Sequence, residues 1–294
     1  MHIFDIPIQA WTGQLLIGLI NGSFYAMLSL GLAVIFGLLN IVNFAHGAFY
    51  MMGAVGTWML GNYLGLSYWA SLLIAPLVVG VLGMALERLF ISRMYQYDHS
   101  YSMLLTFGLA LMIESLFGNA YGSTGLPYSP PAALQGGTRL GVIFMPNYRL
   151  WVIGVSVAVC LLTWLLIEKT RLGAYLRAAT ENATLVRALG INVPRMLTLT
   201  YGCGVGLAAL AGVLAAPIYG ASPAMGSDLL IVVFAVVVIG GMGSIMGSIV
   251  TGLVLGLAEG VAKVVYPEAS TTVVFVIMII VLLVKPAGLF GEAH

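Results

Sequence analysis

The chain has 294 residues, of which 61% are hydrophobic and only 7% charged, and its formal net charge is +1. A soluble domain carries about 25% charged residues, so the solvent for most of this protein is lipid. A near-neutral balance gives no electrostatic basis for nucleic-acid binding, and Cys160 and Cys203, both inside apolar runs, fit neither a metal site nor a disulfide framework and read as small hydrophobes.

The N-terminus "MHIFDIPIQAW" has Asp5 and no Lys or Arg, so it lacks the basic region of a cleavable leader, and the first apolar segment is expected to be retained as a span. A crossing helix needs roughly 20 apolar residues. Candidate spans are 12–38, 47–64, 69–88, 102–121, 150–168, 197–217, 229–243, 245–266 and 271–285. The expected fold class is all-α: a single polytopic domain over 1–294, with eight to ten spans and nine as the working number. The first span is long enough to tilt or split, and the seventh is short for a crossing.

Between the first two spans lies "NIVNFAHGAFYMMGA", which places Asn40, Asn43, His46 and Gly47 in an apolar context. Buried in lipid without partners, such side chains cost several kcal/mol each, roughly. The stretch is therefore either a short turn at the membrane surface or a helix break facing protein or a wet path. A second interruption, "VIGGMGSIMGSIVTG", contains Gly240, Gly241, Gly243, Ser244 and Ser248. Paired Gly-interrupted segments, one in each half, are the pattern of transporters built from repeated halves, although residue-level similarity alone does not define a repeat here.

Ionisable residues inside spans are few. Glu114 could accept hydrogen bonds from a neighbouring helix, and Glu259 and Lys263 are spaced for an i, i+4 ion pair. The outer loop 122–149, with "PYSPPAALQGG", reads as an irregular cap. Eight of the eleven basic residues fall in 169–196, around 89–101 and at Lys285, which places those segments in the cytoplasm, the N-terminus outside and the C-terminus in the cytoplasm. Within this inner region, Gly173–Arg195 has helical periodicity. Leu176, Ala179, Ala183, Val186 and Leu189 form an apolar stripe, with Arg177, Glu181, Thr184 and Arg187 opposite. A helix of about 16 residues is expected, stopped by Gly190. It is either an interfacial linker or a docking helix for a soluble partner, and periodicity does not separate the two.

No G-x-x-x-x-G-K-S/T loop, G-x-S-x-G, H-E-x-x-H or Cys/His cluster is present, so the chain has no ATP-hydrolysing, esterase-type or metal motif. No catalytic residue, no metal and no cofactor is assigned to it. An intramembrane enzyme using His46 as base would lack a nucleophile, and an ion-coupled carrier would have to rely on Glu114.

Three stretches together, "GLLNIVNFAHGAFYMMGA", "RAATENATLVRALGIN" and "VVVIGGMGSIMGSIVTG", resemble the permease subunits of bacterial ABC importers for branched-chain amino acids. The resemblance runs from about Gly13 to the "KPAGLFG" at Lys285–Gly291. It implies a second, homologous permease subunit, two cytoplasmic ATPases that bind the ATP, a periplasmic binding protein that delivers substrate, and a place in the bacterial inner membrane. It implies that 174–190 is a coupling helix on the ATPase, involving Arg177, Ala179, Glu181, Ala183, Val186, Arg187, Leu189 and Gly190. Through Ala178, Ala179, Glu181 and Gly190 the segment loosely resembles the importers' coupling loop, whose usual spacing is not kept. Asn40, Asn43, His46, Gly47, Gly240, Gly241, Gly243 and Ser244 would line or flank the path. Related permeases carry urea, short amides or other hydrophobic amino acids, and the motifs do not separate these substrates.

Overall fold

The computed structural model describes residues 2–3, 6–39, 41–140 and 143–291; Asn40 lies outside them. Each apolar stretch is a helix: α1 Ile8–Leu39, α2 His46–Leu64, α3 Tyr68–Leu89, α4 His99–Tyr121, α5 Asn147–Lys169, α8 Val193–Tyr219, α9 Met225–Gly240, α10 Ile245–Val265 and α11 Thr272–Val284. Two short helices, α6 Arg171–Glu181 and α7 Ala183–Ala188, join α5 to α8. The helical form follows from the solvent, because in lipid every backbone donor and acceptor must be satisfied within the segment. Side-chain caps set several starts: Ser67 accepts from the Ala70 amide, Asp98 from Ser100, Asn192 from Arg195 and Ser244 from Gly247.

Among the described residues, six helices are long and apolar enough to cross a membrane: α1, α3, α4, α5, α8 and α10. α9 and α11 are shorter, and α2, with 19 residues, is less apolar; for α2 and α9 the reason is architectural. α1 and α8 form the centre, with 83% and 72% of their most apolar stretch buried, against 6% for α4. On α3, α4 and α5 the outward rows, such as Leu73, Leu77, Leu104, Met112, Leu162 and Leu166, are exposed, as expected of lipid-facing surface.

The two central helices are each lined by an antiparallel neighbour along a seam of small residues. α10 runs against α1, where a Cβ built on Gly256 would fall 2.3 Å from the Gly22 Cα, so only glycine permits this separation. α3 runs against α8 in the same way, with Gly80 facing the Gly202 carbonyl and Gly83 facing Val205. The two halves match further on. α1, the link 40–45, α2 and α3 correspond to α8, the link 220–224, α9 and α10. Ala45-His46-Gly47 opens α2 and Ala224-Met225-Gly226 opens α9. The caps agree: Ala45 has φ −73° and ψ −4°, Ala224 φ −81° and ψ −10°. In both, the first helical amide donates to the carbonyl three residues back, His46 to Asn43 at 3.2 Å and Met225 to Ser222 at 3.3 Å.

These two helices start inside the protein and run in opposite directions. α2 begins beside Leu28 and Gly31, roughly 12–16 Å short of the end of α1 at 1.5 Å per residue, and ends with Trp58 against Tyr121 at the far end of the molecule. α9 begins against Gly47 and ends beside the C-terminal end of α1, where Gly243 meets Gly37. The in-protein break paired with 40–45 is therefore 220–224. The Gly240–Ser248 stretch is instead the end of α9, a tight turn at 241–244 and the first turn of α10.

At the end of the molecule away from α6 and α7, the outer loop is more ordered than its composition suggests. Gly137–Leu140 pairs antiparallel with Ile143–Pro146, and Leu126 bridges to Ala221.

Candidate functional site

The NFAHG link is held by the protein interior. Asn43 is fully buried; its amide donates to the Tyr201 hydroxyl at 3.0 Å and its carbonyl oxygen accepts from the Ala45 amide at 3.1 Å. His46 is 1% exposed, and its Nε2 lies 3.0 Å from the Leu28 carbonyl, so Nε2 carries the proton; Nδ1 has no protein partner. Thr106 of α4 accepts from the Phe44 amide at 3.2 Å. The polar residues thus replace the hydrogen bonds that the broken helix gives up.

Gly47 marks the crossing. A Cβ on it would lie 2.5 Å from the Gly226 carbonyl oxygen, and a Cβ on Gly226 would lie 2.1 Å from that of Gly47. The N-terminal turns of α2 and α9 are therefore in backbone contact, which no larger residue allows. Gly240 packs on Gly247, while Gly241 and Gly243 have φ of 101° and 86°, the left-handed region that this turn requires. Ser244 caps α10 by accepting from the Gly247 amide at 3.1 Å. These residues lie toward the α6–α7 end of the molecule and are separate from the NFAHG group.

What the structure adds is a cavity of about 330 Å³ on the far side of the α2–α9 crossing. Asn21, Phe24 and Tyr25 of α1, Tyr50 of α2, Tyr219 and Ser222 at the end of α8, and Met225, Asp228 and Leu229 of α9 surround it. The Tyr219 hydroxyl donates to the Asn21 side-chain oxygen at 2.7 Å, and Tyr219 stacks edge-on against Phe24 at 5.7 Å. Asp228 sits in the first turn of α9 and is exposed at the mouth. Behind the wall, Tyr25 donates to the buried Glu259 at 2.7 Å, and Lys263 pairs with the same carboxylate at 2.6 Å, the ion pair that the i, i+4 spacing predicts. The arrangement offers a carboxylate, phenol and amide groups, and an apolar wall in one chamber. It suits a small molecule with a cationic group and an apolar body. Sequence reasoning missed it because "YGASPAMGSD" reads as a surface turn; the signal was a Gly-Ser-Pro break between two apolar runs, a polar interruption like that at 40–47 but without its asparagines and histidine.

The segment after α5 departs from expectation in two ways. The single helix of about 16 residues is divided at Asn182, whose φ of −149° and ψ of 87° leave the helical region and whose side chain caps α7 by accepting from Leu185 at 2.9 Å. The apolar stripe also faces inward. Ala179 and Val186 are buried with Val193, against Ala183, Ile191, Met196 and Leu197 of the same chain. Leu189, assigned to the same stripe, is 74% exposed because Gly190, with φ 84°, turns the chain there. The free surface of this segment instead carries Leu172, Tyr175, Leu185 and Leu189, with Glu181, Arg187 and Arg177. Arg177 bonds back to Glu168 at 3.4 Å and to the Ile167 carbonyl, fixing the α5–α6 elbow.

Glu114 is half-buried on α4 and accepts from Ser227 at 3.3 Å, beside the α9 start. Among the described residues, no group of three or more His, Cys, Asp or Glu could hold a metal ion.

The comparisons with known proteins agree on one family. Residues 14–283 match the family described as branched-chain amino acid transport system / permease component. The chain is 29% identical over 298 residues to the high-affinity branched-chain amino acid transport system permease protein LivH of Escherichia coli, covering 95% of each. It is 28% identical over 292 residues to the corresponding BraD of Pseudomonas aeruginosa, again covering 95% of each. It also matches the LivM permease of Salmonella typhimurium, with 28% identity over 245 residues, 75% of this chain and 57% of that one. These relatives are transport permeases and not enzymes. The chain is a multi-pass, all-α membrane protein, and it belongs to the permease component family of branched-chain amino acid transport systems.

Proposed function

We propose that this chain is one of two permease subunits of an ATP-driven importer in the bacterial inner membrane, and that it carries branched-chain or similar hydrophobic amino acids handed over by a periplasmic binding protein. Two cytoplasmic ATPases bind and hydrolyse the ATP; the chain itself carries no phosphate loop. The N-terminus then faces the periplasm, and α6 and α7 face the cytoplasm, in keeping with the bias of basic residues.

The observation that carries this reading is the cavity beside the α2–α9 crossing, set in a chain whose matched region covers 14–283. An amino-acid zwitterion has to be met by polar groups on its way through lipid. Asp228 faces the ammonium, while Asn21 and the tyrosine hydroxyls provide neutral hydrogen bonds. Phe24, Met225 and Leu229 provide an apolar wall for the side chain, which favours a hydrophobic amino acid over urea or a short amide. Affinity here is low, because substrate has to leave toward the cytoplasm. ATP binding shifts the outward–inward equilibrium through differential contact with the two states. The ATPase meets the exposed face of α6–α7, at Leu172, Tyr175, Leu185, Leu189 and the bordering Glu181 and Arg187, and the inward stripe carries the movement to α8. His46 and Asn43 hold the first break in shape beside the path, and the turn Gly240–Ser244 fixes the α9–α10 connection.

The test is reconstitution with and without partners. Proteoliposomes holding this chain, its partner permease and the ATPases should accumulate leucine only with ATP and a loaded binding protein. Concentrative uptake by this chain alone under a proton or sodium gradient would make it a secondary carrier, with Glu114 the residue to examine.

A further inference from the structure

We infer that the seam between α1, α5 and α10 is a binding site for one anionic phospholipid, with its phosphate at the α6–α7 end and an acyl chain lying inward along the seam. Two separate hollows in that seam support this. The first is a cavity of about 450 Å³ bounded by the end of α1, the end of α5, Arg177 of α6 and the turn that opens α10. It carries Lys169, Arg177 and one carboxylate, Glu168, which is already paired with Arg177 at 3.4 Å. Among the described residues no carboxylate pairs with Lys169; its ammonium lies 5.8 Å from the centre of the Trp164 ring. Ser244 and the first turn of α10 form the opposite wall. One side of the cavity is therefore cationic and another presents helix amides, a setting that suits a phosphodiester.

The second hollow, of about 110 Å³, lies deeper in the same seam, between Ser23 and Ala26 of α1, Val157, Cys160 and Leu161 of α5, and Ile249 and Leu253 of α10. Along α5 and α10 it is displaced inward by roughly 6–12 Å at 1.5 Å per residue. Ser23, Ser156 and Cys160 contribute to its wall, but the surface that faces the hollow is apolar. Val157 and Leu161 at its mouth are 39% and 48% exposed, and Val254 nearby on α10 is 56% exposed, so the slot opens onto an apolar outer surface of the chain. Trp164 lines the cationic cavity, three residues along α5 from Leu161 of the slot, and tryptophan is enriched at the membrane–water boundary.

The order of chemistry along the seam is thus cation, aromatic, aliphatic slot. That is the order of a phospholipid read from headgroup to tail, and it runs along α5 from Lys169 through Trp164 to Leu161 and Val157. A free phosphate ion would use the first hollow and leave the second without a role. The ligand also has a mechanical position: it touches the α5–α6 elbow, the end of α1 and the start of α10 at once, so its occupancy braces the elbow against the core.

The experiment is native mass spectrometry of the intact importer, purified in mild detergent and titrated with phosphatidylglycerol, phosphatidylcholine or glycerol 3-phosphate. One tightly retained phosphatidylglycerol per copy of this chain is expected, held at least about fivefold better than phosphatidylcholine, the effect of one basic residue at an anionic surface. Lys169→Gln should remove most of that preference, and Val157→Phe should lower retention of both lipids by filling the slot. Lys285→Gln, a cation at the same end of the molecule but outside the seam, should change nothing. Saturable binding of glycerol 3-phosphate that matches phosphatidylglycerol and ignores Val157→Phe would overturn the acyl slot and leave a free-phosphate site. Equal retention of both lipids, indifferent to Lys169→Gln, would overturn the proposal as a whole. So would capture of Leu161→Cys in a disulfide with the partner permease, since a protein would then occupy the slot.

Discussion

The links 40–45 and 220–224 are built on the same backbone plan and filled with opposite chemistry. Each follows a long central helix, each ends in an Ala-x-Gly start, and their helices meet at Gly47 and Gly226. In the first link every described polar side chain turns inward: Asn43 to Tyr201 and to its own turn, His46 to Leu28. In the second, Ser222, Asp228 and Tyr219 border an open cavity. A break in a membrane helix is therefore not itself a path. It becomes one only where its polar groups are left to a ligand or water instead of being satisfied by the protein.

The sharpest way to break the comparison is at the point the two links share. Gly226→Val should remove most folded protein, because the added atoms would meet the Gly47 carbonyl backbone, which cannot move aside as a side chain would. Size-exclusion profiles of a fluorescent fusion would report it, and a monodisperse peak at the normal yield would refute the crossing. Next in size, Asp228→Asn should cut uptake about tenfold in proteoliposomes, the scale of one charge-assisted hydrogen bond, while the melting temperature stays put. If uptake were unchanged, the second link would be as structural as the first.

Tyr201→Phe gives the converse signature. Asn43 would lose a buried partner, at about 1–3 kcal/mol, so the melting temperature should fall by several degrees while transport per folded molecule holds. A transport loss without a stability loss would move the first link into the path. The smallest effect is expected at the docking segment. Glu181→Lys alters an exposed charge worth about 0–1 kcal/mol and should weaken ATPase co-purification only slightly. Ala183→Arg, by contrast, should destabilise the chain itself, since Ala183 packs on the Val186–Val193 cluster. Pull-down of the ATPase from matched amounts of folded protein separates the two.

Much of this protein follows from the sequence alone. With so few charged residues its solvent has to be lipid, and in lipid an apolar run has to be a helix, so the number, order and approximate limits of the helices are legible in composition and hydropathy. Local chemistry is legible as well: the Glu259–Lys263 pair follows from spacing, and the division at Asn182 could have been read from an asparagine placed to cap. Tertiary structure alone decided depth and facing. That α2 and α9 start inside the protein depends on glycines 179 positions apart touching. The stripe through Ala179 and Val186 has the same period whether it meets a partner or its own α8, and only packing chose the latter. The cavity at Asp228 collects side chains from α1, α2, α8 and α9, which are far apart in the chain. Periodicity records that a face is apolar and composition records that a break is polar. What each of them meets is set by contacts between distant segments, and no local pattern carries that information.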